Sequence, residues 1–334
     1  MRISSKQNNC LNLFKLIAAL QVMYGHIIVH LGISSHPYFD KVFGIFLGVP
    51  IFFTLSGFLV WFSIERTAKQ EGYQKYIRKR FRRIYPEMWV AIAVEITVMC
   101  ILYHEWNVRD TALFALTQST FLQFWTPNSL RGYGCGTPNG SLWTMCVTIQ
   151  FYLIAWSIYK LMKNRNWLVW VITFIASILV SELGNFTVGL FHNEILIKLY
   201  GQTIIRYLWL FLLGMGLACF YDKVIPFCTK WWPVLLFTGG IVSIGGFDLS
   251  AGYGIFKTLF VILAIIGFSY RYPELKLKND ISFGVFIYHM TIVNIMITFG
   301  WTGRFIHLLI AFTASCILGY ISTITIGKYS TLKT

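Results

Sequence analysis

The chain has 334 residues, of which 56% are hydrophobic and only 12% charged, with a mean hydropathy of +0.63. A water-soluble domain carries about 25% charged residues, so a soluble globular protein is excluded and an integral membrane protein is expected. The formal charge of +15 does not imply nucleic-acid binding. The basic residues lie in short segments between apolar runs, where the positive-inside rule places them, and no polar stretch is long enough for such a domain.

A membrane-crossing helix needs about 20 predominantly apolar residues. Ten spans are expected, near 12–30, 42–63, 84–103, 141–162, 167–185, 203–221, 231–247, 252–269, 281–300 and 304–327. With the N-terminus inside, twenty of the 28 lysines and arginines fall on inner segments and six on outer ones; Lys15 and Lys257 lie within spans. The expected fold is all-α and polytopic, with about ten transmembrane helices and both termini cytoplasmic. Residues 1–334 read as a single membrane domain with no appended soluble domain. No small-residue cleavage site follows the first span, so no cleavable signal peptide is expected.

The first span, LNLFKLIAALQVMYGHIIVHLGI, holds Lys15 and His26. Intramembrane ionisable groups are costly and usually functional. At about 1.5 Å rise per residue the two lie roughly 16 Å apart along the axis, and a step close to three turns puts them on one face. His30 follows His26 by about one turn and shares that face. His26 is either a general base for a hydroxyl nucleophile or an interhelical hydrogen bonder. Lys15 taken alone also suits snorkelling to the inner interface.

The second span contains GVPIFFTLSGFLVWF. Ser56 and Gly57 allow a close backbone crossing, and with Phe52 and Phe53 they either shape a substrate tunnel or simply pack. The inner loop 64–83 ends in a basic run containing Arg78, Lys79, Arg80, Arg82 and Arg83, before Tyr85 and Pro86. Arginine forks suit phosphate oxygens; lipid headgroups are the competing partner. Glu95, in the third span, needs a partner, for which Lys15, Lys257 and the histidines compete.

The outer loop 104–140 is polar and Gly-rich. At its end Asn139-Gly140 favours a turn and Ser141 is suited to cap the next helix. Trp143 then falls at the outer interface, to stack on a sugar or join an aromatic belt. Clustered glycines at 239–240 and 245–246 weaken the helix expectation for spans seven and eight. In span nine Tyr288 and His289 are candidate lining residues, His289 either sharing a cavity with His26 or hydrogen bonding structurally, and Asn294 adds a polar group. Gly300 and Gly303 mark a tight turn before the last span. The seven cysteines are scattered without ligand spacing, so small apolar packing is expected and no metal site.

In order and spacing these pieces resemble the membrane-bound acyltransferase-3 family from residue 10 to about 300. The family's first-helix cation and histidine, ten residues between them, are matched by Lys15 and His26. Its F-F-x-x-S-G motif is matched by Phe52, Phe53, Ser56 and Gly57. Its R-x-x-R before Tyr-Pro is matched by Arg80, Arg83, Tyr85 and Pro86. Where many members read W-S-L-x-x-E, this chain has Trp143 and then Thr148 in place of the glutamate. The first-helix cation is lysine where arginine is commoner. Glu95 is the candidate replacement acid.

The resemblance implies transfer of an acyl group, usually acetyl, from cytoplasmic acyl-CoA to a sugar hydroxyl of a surface polysaccharide or lipid-linked precursor, at the cell inner membrane. His26 would act as base or transient acyl carrier, with Lys15 and Glu95 in the catalytic group. Lys79, Arg80, Arg82 and Arg83 would hold the CoA phosphates. The expected partners are the lipid bilayer and a glycan acceptor. The rival reading is a transporter or flippase, against which stands the lack of similarity between residues 1–165 and 166–334.

Overall fold

The computed structural model describes residues 8–68, 72–123, 125–249 and 252–327. Arg2, Lys6, Lys69, Lys328 and Lys333, counted above on the inner side, lie outside the described residues. The described residues form helices and no β-strand.

In chain order the helices are α1 (Leu11–His30), α2 (Pro37–Phe43), α3 (Gly48–Ala68), α4 (Gly72–Leu102), α5 (Val108–Gln118), α6 (Trp143–Met162) and α7 (Trp167–Leu190). They continue with α8 (Glu194–Tyr200), α9 (Leu208–Cys219), α10 (Tyr221–Gly245), α11 (Ile255–Arg271), α12 (Ser282–Thr298) and α13 (Phe305–Ser322). Each of the ten expected spans overlaps one of these helices. Among the described residues, seven stretches are long and apolar enough to cross a membrane: α1, α2 with α3, α4, α6, α7, α10, and α13 with the π-turn after it. At 12 residues, α9 reaches about 18 Å, well short of a hydrocarbon core about 30 Å thick.

Three expectations are corrected. The basic run 78–83 lies within α4, a 31-residue helix, and not in a loop. Lysine and arginine are good helix formers, and Pro86 inside the helix removes one backbone donor without ending it. The seventh span begins at Tyr221, because Asp222, Lys223 and Lys230 interrupt its apolar pattern but not its helix. That helix holds through Pro226 and Pro233 and stops at Gly246, whose φ of 69° suits a left-handed cap. The outer loop carries α5, started by the Asn107 side chain accepting from the Asp110 amide, and a 3₁₀ turn at Asn128–Leu130.

The chain divides into two compact units. The first comprises Met1–Ala18, Tyr38–Ile77 and Gln150–Lys278. Within it α3 packs on α9, α9 on α7, and α10 on α11. The α3–α9 crossing is a backbone-to-backbone contact: a Cβ on Gly57 would collide with the Phe211 carbonyl, and one on Gly214 with the Thr54 carbonyl. The close approach expected at Gly57 is therefore present. Phe53 is buried beside it, edge-on to Phe151, which stacks on Phe211 with centroids 4.5 Å apart. The first turns of α11 are held by Asp248, whose carboxylate accepts from the Phe256 and Lys257 amides at 2.8 and 2.9 Å.

The second unit comprises Ala19–Pro37, Arg78–Ile149 and Asn279–Thr334. Here α12 packs against α13, and Gly284 and Gly319 meet so closely that neither tolerates a Cβ in place. Gly300 and Gly303 take positive φ in the turn between these helices, as expected, and the Gly303 amide donates to the Leu31 carbonyl at 2.8 Å. Met99, Phe114, Leu130 and Tyr133 form a small core between the end of α4 and the outer segment. Asn294 on α12 clamps that segment. Its oxygen accepts from the Cys135 amide at 2.9 Å, and its nitrogen donates to the Thr137 and Pro138 carbonyls at 3.0 and 2.6 Å.

Candidate active site

The second unit brings His26, near the end of α1, onto His289 of α12. His26 Nδ1 lies 2.8 Å from His289 Nε2, and the ring centroids are 5.0 Å apart. His289 is fully buried, whereas His26 is half-buried. His289 Nδ1 lies 3.3 Å from the Val285 carbonyl, one turn back on its own helix. His30 completes the cluster, its ring centroid 5.8 Å from that of His26. An imidazole pair with one buried and one half-open ring can accept a proton and hold it by a charge-assisted hydrogen bond.

The segment leading into α6 braces the same part of α12. The Asn139 amide donates to the Ile287 carbonyl at 3.0 Å, and the Ser141 hydroxyl lies 3.2 Å from the Phe286 carbonyl. Ser141 also donates to the Asn139 oxygen at 2.7 Å. Both side chains are buried and so join the turn leading into α6 to the helix that carries His289. Trp143 opens α6 and is half-buried. Thr148, where the family commonly has glutamate, donates to the Thr144 carbonyl one turn back.

Glu95 is buried on α4, and neither carboxyl oxygen has a hydrogen-bond partner of good geometry. Tyr133, Cys135 and Asn139 surround it. The Asn139 nitrogen donates one hydrogen to the Ile287 carbonyl and its oxygen accepts from Ser141, which leaves its second N–H on the side of Glu95. Burial pushes the Tyr133 phenol and the Cys135 thiol, both in the outer segment, above their ordinary values. Of the partners considered for Glu95, Lys257 lies near Asp248 in the first unit.

Other candidates fall elsewhere. Lys15 is half-buried on α1, within the first unit, as are Phe52, Phe53, Ser56 and Gly57 at the α3–α9 crossing. Arg80 is buried, Lys79 half-buried, and Arg82 and Arg83 exposed, so the R-x-x-R pair does not share one environment. Fifteen residues of helix separate Arg80 from Glu95, or about 22 Å. Tyr288 is buried towards Glu87 and Ser322. Glu87 itself, accepting from the Ser322 hydroxyl at 2.8 Å, is a buried acid that reading the sequence passed over. Its signal is an acid within the apolar half of α4, the same signal that singled out Glu95.

A multi-pass helical membrane protein with a paired-histidine site is the class these features define. The acyltransferase domain family, acyltransferase-3, matches residues 8–326, and the chain belongs to that family; it is an acyltransferase. It is 28% identical over 330 residues to nodulation protein 10 of Rhizobium leguminosarum bv. viciae, covering 90% of this chain and 87% of that one. It is 24% identical over 342 residues to an O-acetyl transferase of Shigella phage Sf6, covering 95% and 94%. A 131-residue stretch is 31% identical to the peptidoglycan O-acetyltransferase OatA of Listeria monocytogenes, covering 36% of this chain and 21% of that one. No solved structure matches the chain.

Proposed function

We propose that this acyltransferase moves an acetyl group from cytoplasmic acetyl-CoA to a hydroxyl of a cell-surface glycan or its lipid-linked precursor. It would do so as one domain of ten membrane-crossing helices in the inner membrane, with both termini cytoplasmic. The observation that carries the reading is the half-open His26 imidazole, hydrogen bonded to a buried second histidine in a chain of this family. The names of the relatives support acetyl as the group and a glycan as acceptor. The excess of basic residues on alternate segments supports the topology, and the single family match from 8 to 326 supports one domain.

In the proposed reaction His26 takes the proton of the sugar hydroxyl as that oxygen attacks the thioester carbonyl carbon. A C–O bond forms, the C–S bond breaks, and the proton passes from the imidazolium to the departing CoA thiolate. The products are the O-acetyl ester and free CoA. Lys79, Arg80, Arg82 and Arg83 would hold the CoA phosphates by charge-assisted hydrogen bonds. Glu95 would be the acid of the second unit; in the first unit Lys15 would supply a further charge, and Phe52, Phe53, Ser56 and Gly57 would line an acyl passage. His30, Asn139, Ser141, Trp143, Tyr288 and His289 would form or support the acceptor side.

A general base contributes about 10²–10⁴-fold to rate. His26→Ala is therefore expected to remove the O-acetyl signal from the NMR spectrum of the surface glycan, while the protein remains in the membrane at its normal level. A variant that acetylates at the parent rate overturns the assignment of the base.

A further inference from the structure

We propose that His289 is a positioning residue: its ring sets the tautomer of His26, leaving His26 Nε2 as the unprotonated nitrogen that takes the acceptor proton. This rests on the reading of His26 as the base. The argument is a count of protons along one hydrogen-bonded line. The Val285 carbonyl can only accept, so the His289 Nδ1 facing it at 3.3 Å carries the hydrogen. A neutral imidazole has one N–H, so His289 Nε2 holds a lone pair. His26 Nδ1, 2.8 Å from that lone pair, must then donate. Neutral His26 has its single hydrogen on Nδ1, and its Nε2 is left as the basic atom.

The backbone makes the assignment one-sided. His289 is fully buried, so water cannot supply an alternative donor to its Nε2. The turn that holds it is braced by Asn139 on the Ile287 carbonyl and Ser141 facing the Phe286 carbonyl. His289 sits between these contacts and α1 with little freedom to rotate away. When His26 accepts the substrate proton at Nε2, its Nδ1–H still donates to His289, now from a charged ring. Charged donors form bonds roughly twice as strong as neutral ones, so the contact tightens as charge develops. A catalytic histidine is commonly oriented by a carboxylate on its other nitrogen; here a neutral, buried imidazole occupies that place.

The test compares two variants of similar volume. Glutamine can present its amide oxygen where His289 Nε2 lies and accept from His26 Nδ1–H; methionine fills the space without such an acceptor. Purified protein is given acetyl-CoA and surface glycan from a strain lacking this chain, and CoA thiol release is followed. His289→Gln is expected to stay within about 10-fold of the parent kcat, and His289→Met to fall about 10²-fold, a typical contribution for a correctly poised base. KM for acetyl-CoA should change little in either. Equal rates for the two variants overturn the proposal. His26→Ala, assayed alongside, separates the two readings: if it stays active the base assignment fails, whereas an inactive His26→Ala with a fully active His289→Met defeats only the positioning role. Should the variants not fold, ¹⁵N-histidine NMR of the unaltered protein decides. Hydrogen on His26 Nδ1 is expected, and hydrogen on Nε2 refutes the proposal.

Discussion

Replacing Gly57 by alanine tests the crossing on which the F-F-x-x-S-G motif sits. The three atoms nearest the added methyl are all backbone: it lands on the Phe211 carbonyl oxygen, with the Phe211 carbonyl carbon at 3.1 Å and the Met215 amide nitrogen at 3.2 Å. The reciprocal position is equally closed, since a Cβ on Gly214 meets the Thr54 carbonyl, with the Phe58 amide at 2.8 Å. No rotamer change relieves a clash with main chain, so α3 and α9 must separate by about 1 Å. A gap of that size forfeits a quarter to a half of each dispersion contact along the seam. Overpacking costs typically about 1–3 kcal/mol, and rigid obstructing atoms place Gly57→Ala near the top of that range. Ser56→Ala adds no atoms and should cost under about 1 kcal/mol. The double variant Gly57→Ala/Gly214→Ala should cost less than the two singles together, because the first separation makes room for the second methyl. Unfolding of the purified protein in mixed micelles on SDS titration gives all four values. An unchanged midpoint for Gly57→Ala, or strict additivity of the pair, would show that the helices do not meet as described.

Two further perturbations probe the outer segment. Asn294→Leu removes three hydrogen bonds to residues 135–138 and should cost about 2–4 kcal/mol at about 1 kcal/mol each. Trypsin should then cut faster at the exposed Arg131, and an unaltered cleavage rate would count against the clamp. Hydrogen bonds from the Ser129 and Asn107 side chains hold the Asp110 carboxyl below its usual 3.8. A depressed acid stabilises the fold above its unfolded pKa, and that contribution disappears as pH falls through the lower folded value. Ser129→Ala should move the Asp110 titration, followed by ¹³C NMR, back towards 3.8, so that the stability this carboxylate adds above its unfolded pKa is lost, and with it this group's share of the acid dependence. An unmoved titration would mean that Ser129 does not set it.

Local features of the site could be read directly. A helix spanning Leu11–His30 follows from an apolar run without glycine or proline breaks before Gly25, and it fixes Lys15 and His26 on one face. Gly57 was recognisable as a close-approach residue because a small side chain in an apolar helix has few other uses. The same holds for the Gly300–Gly303 turn. The basic run misled, because charge density marks an interface and not the end of a helix; α4 continues through it to Leu102, about five turns further. The outer segment misled for a similar reason, since its polar residues obscured the short helix that Asn107 starts.

Periodicity and charge are properties of neighbouring residues, so the sequence alone determined that the chain lives in a membrane, roughly where its apolar helices lie and which of them bear ionisable groups. Pairing depends on which helix faces which, and that is settled by packing over long separations. Only the tertiary structure decided that His26 meets a ring 263 positions away, that the residues after the outer segment brace the helix carrying that ring, and that Glu95 lies among Tyr133, Cys135 and Asn139. A histidine's working nitrogen is chosen by what its other nitrogen touches, and no spacing along the chain records that contact.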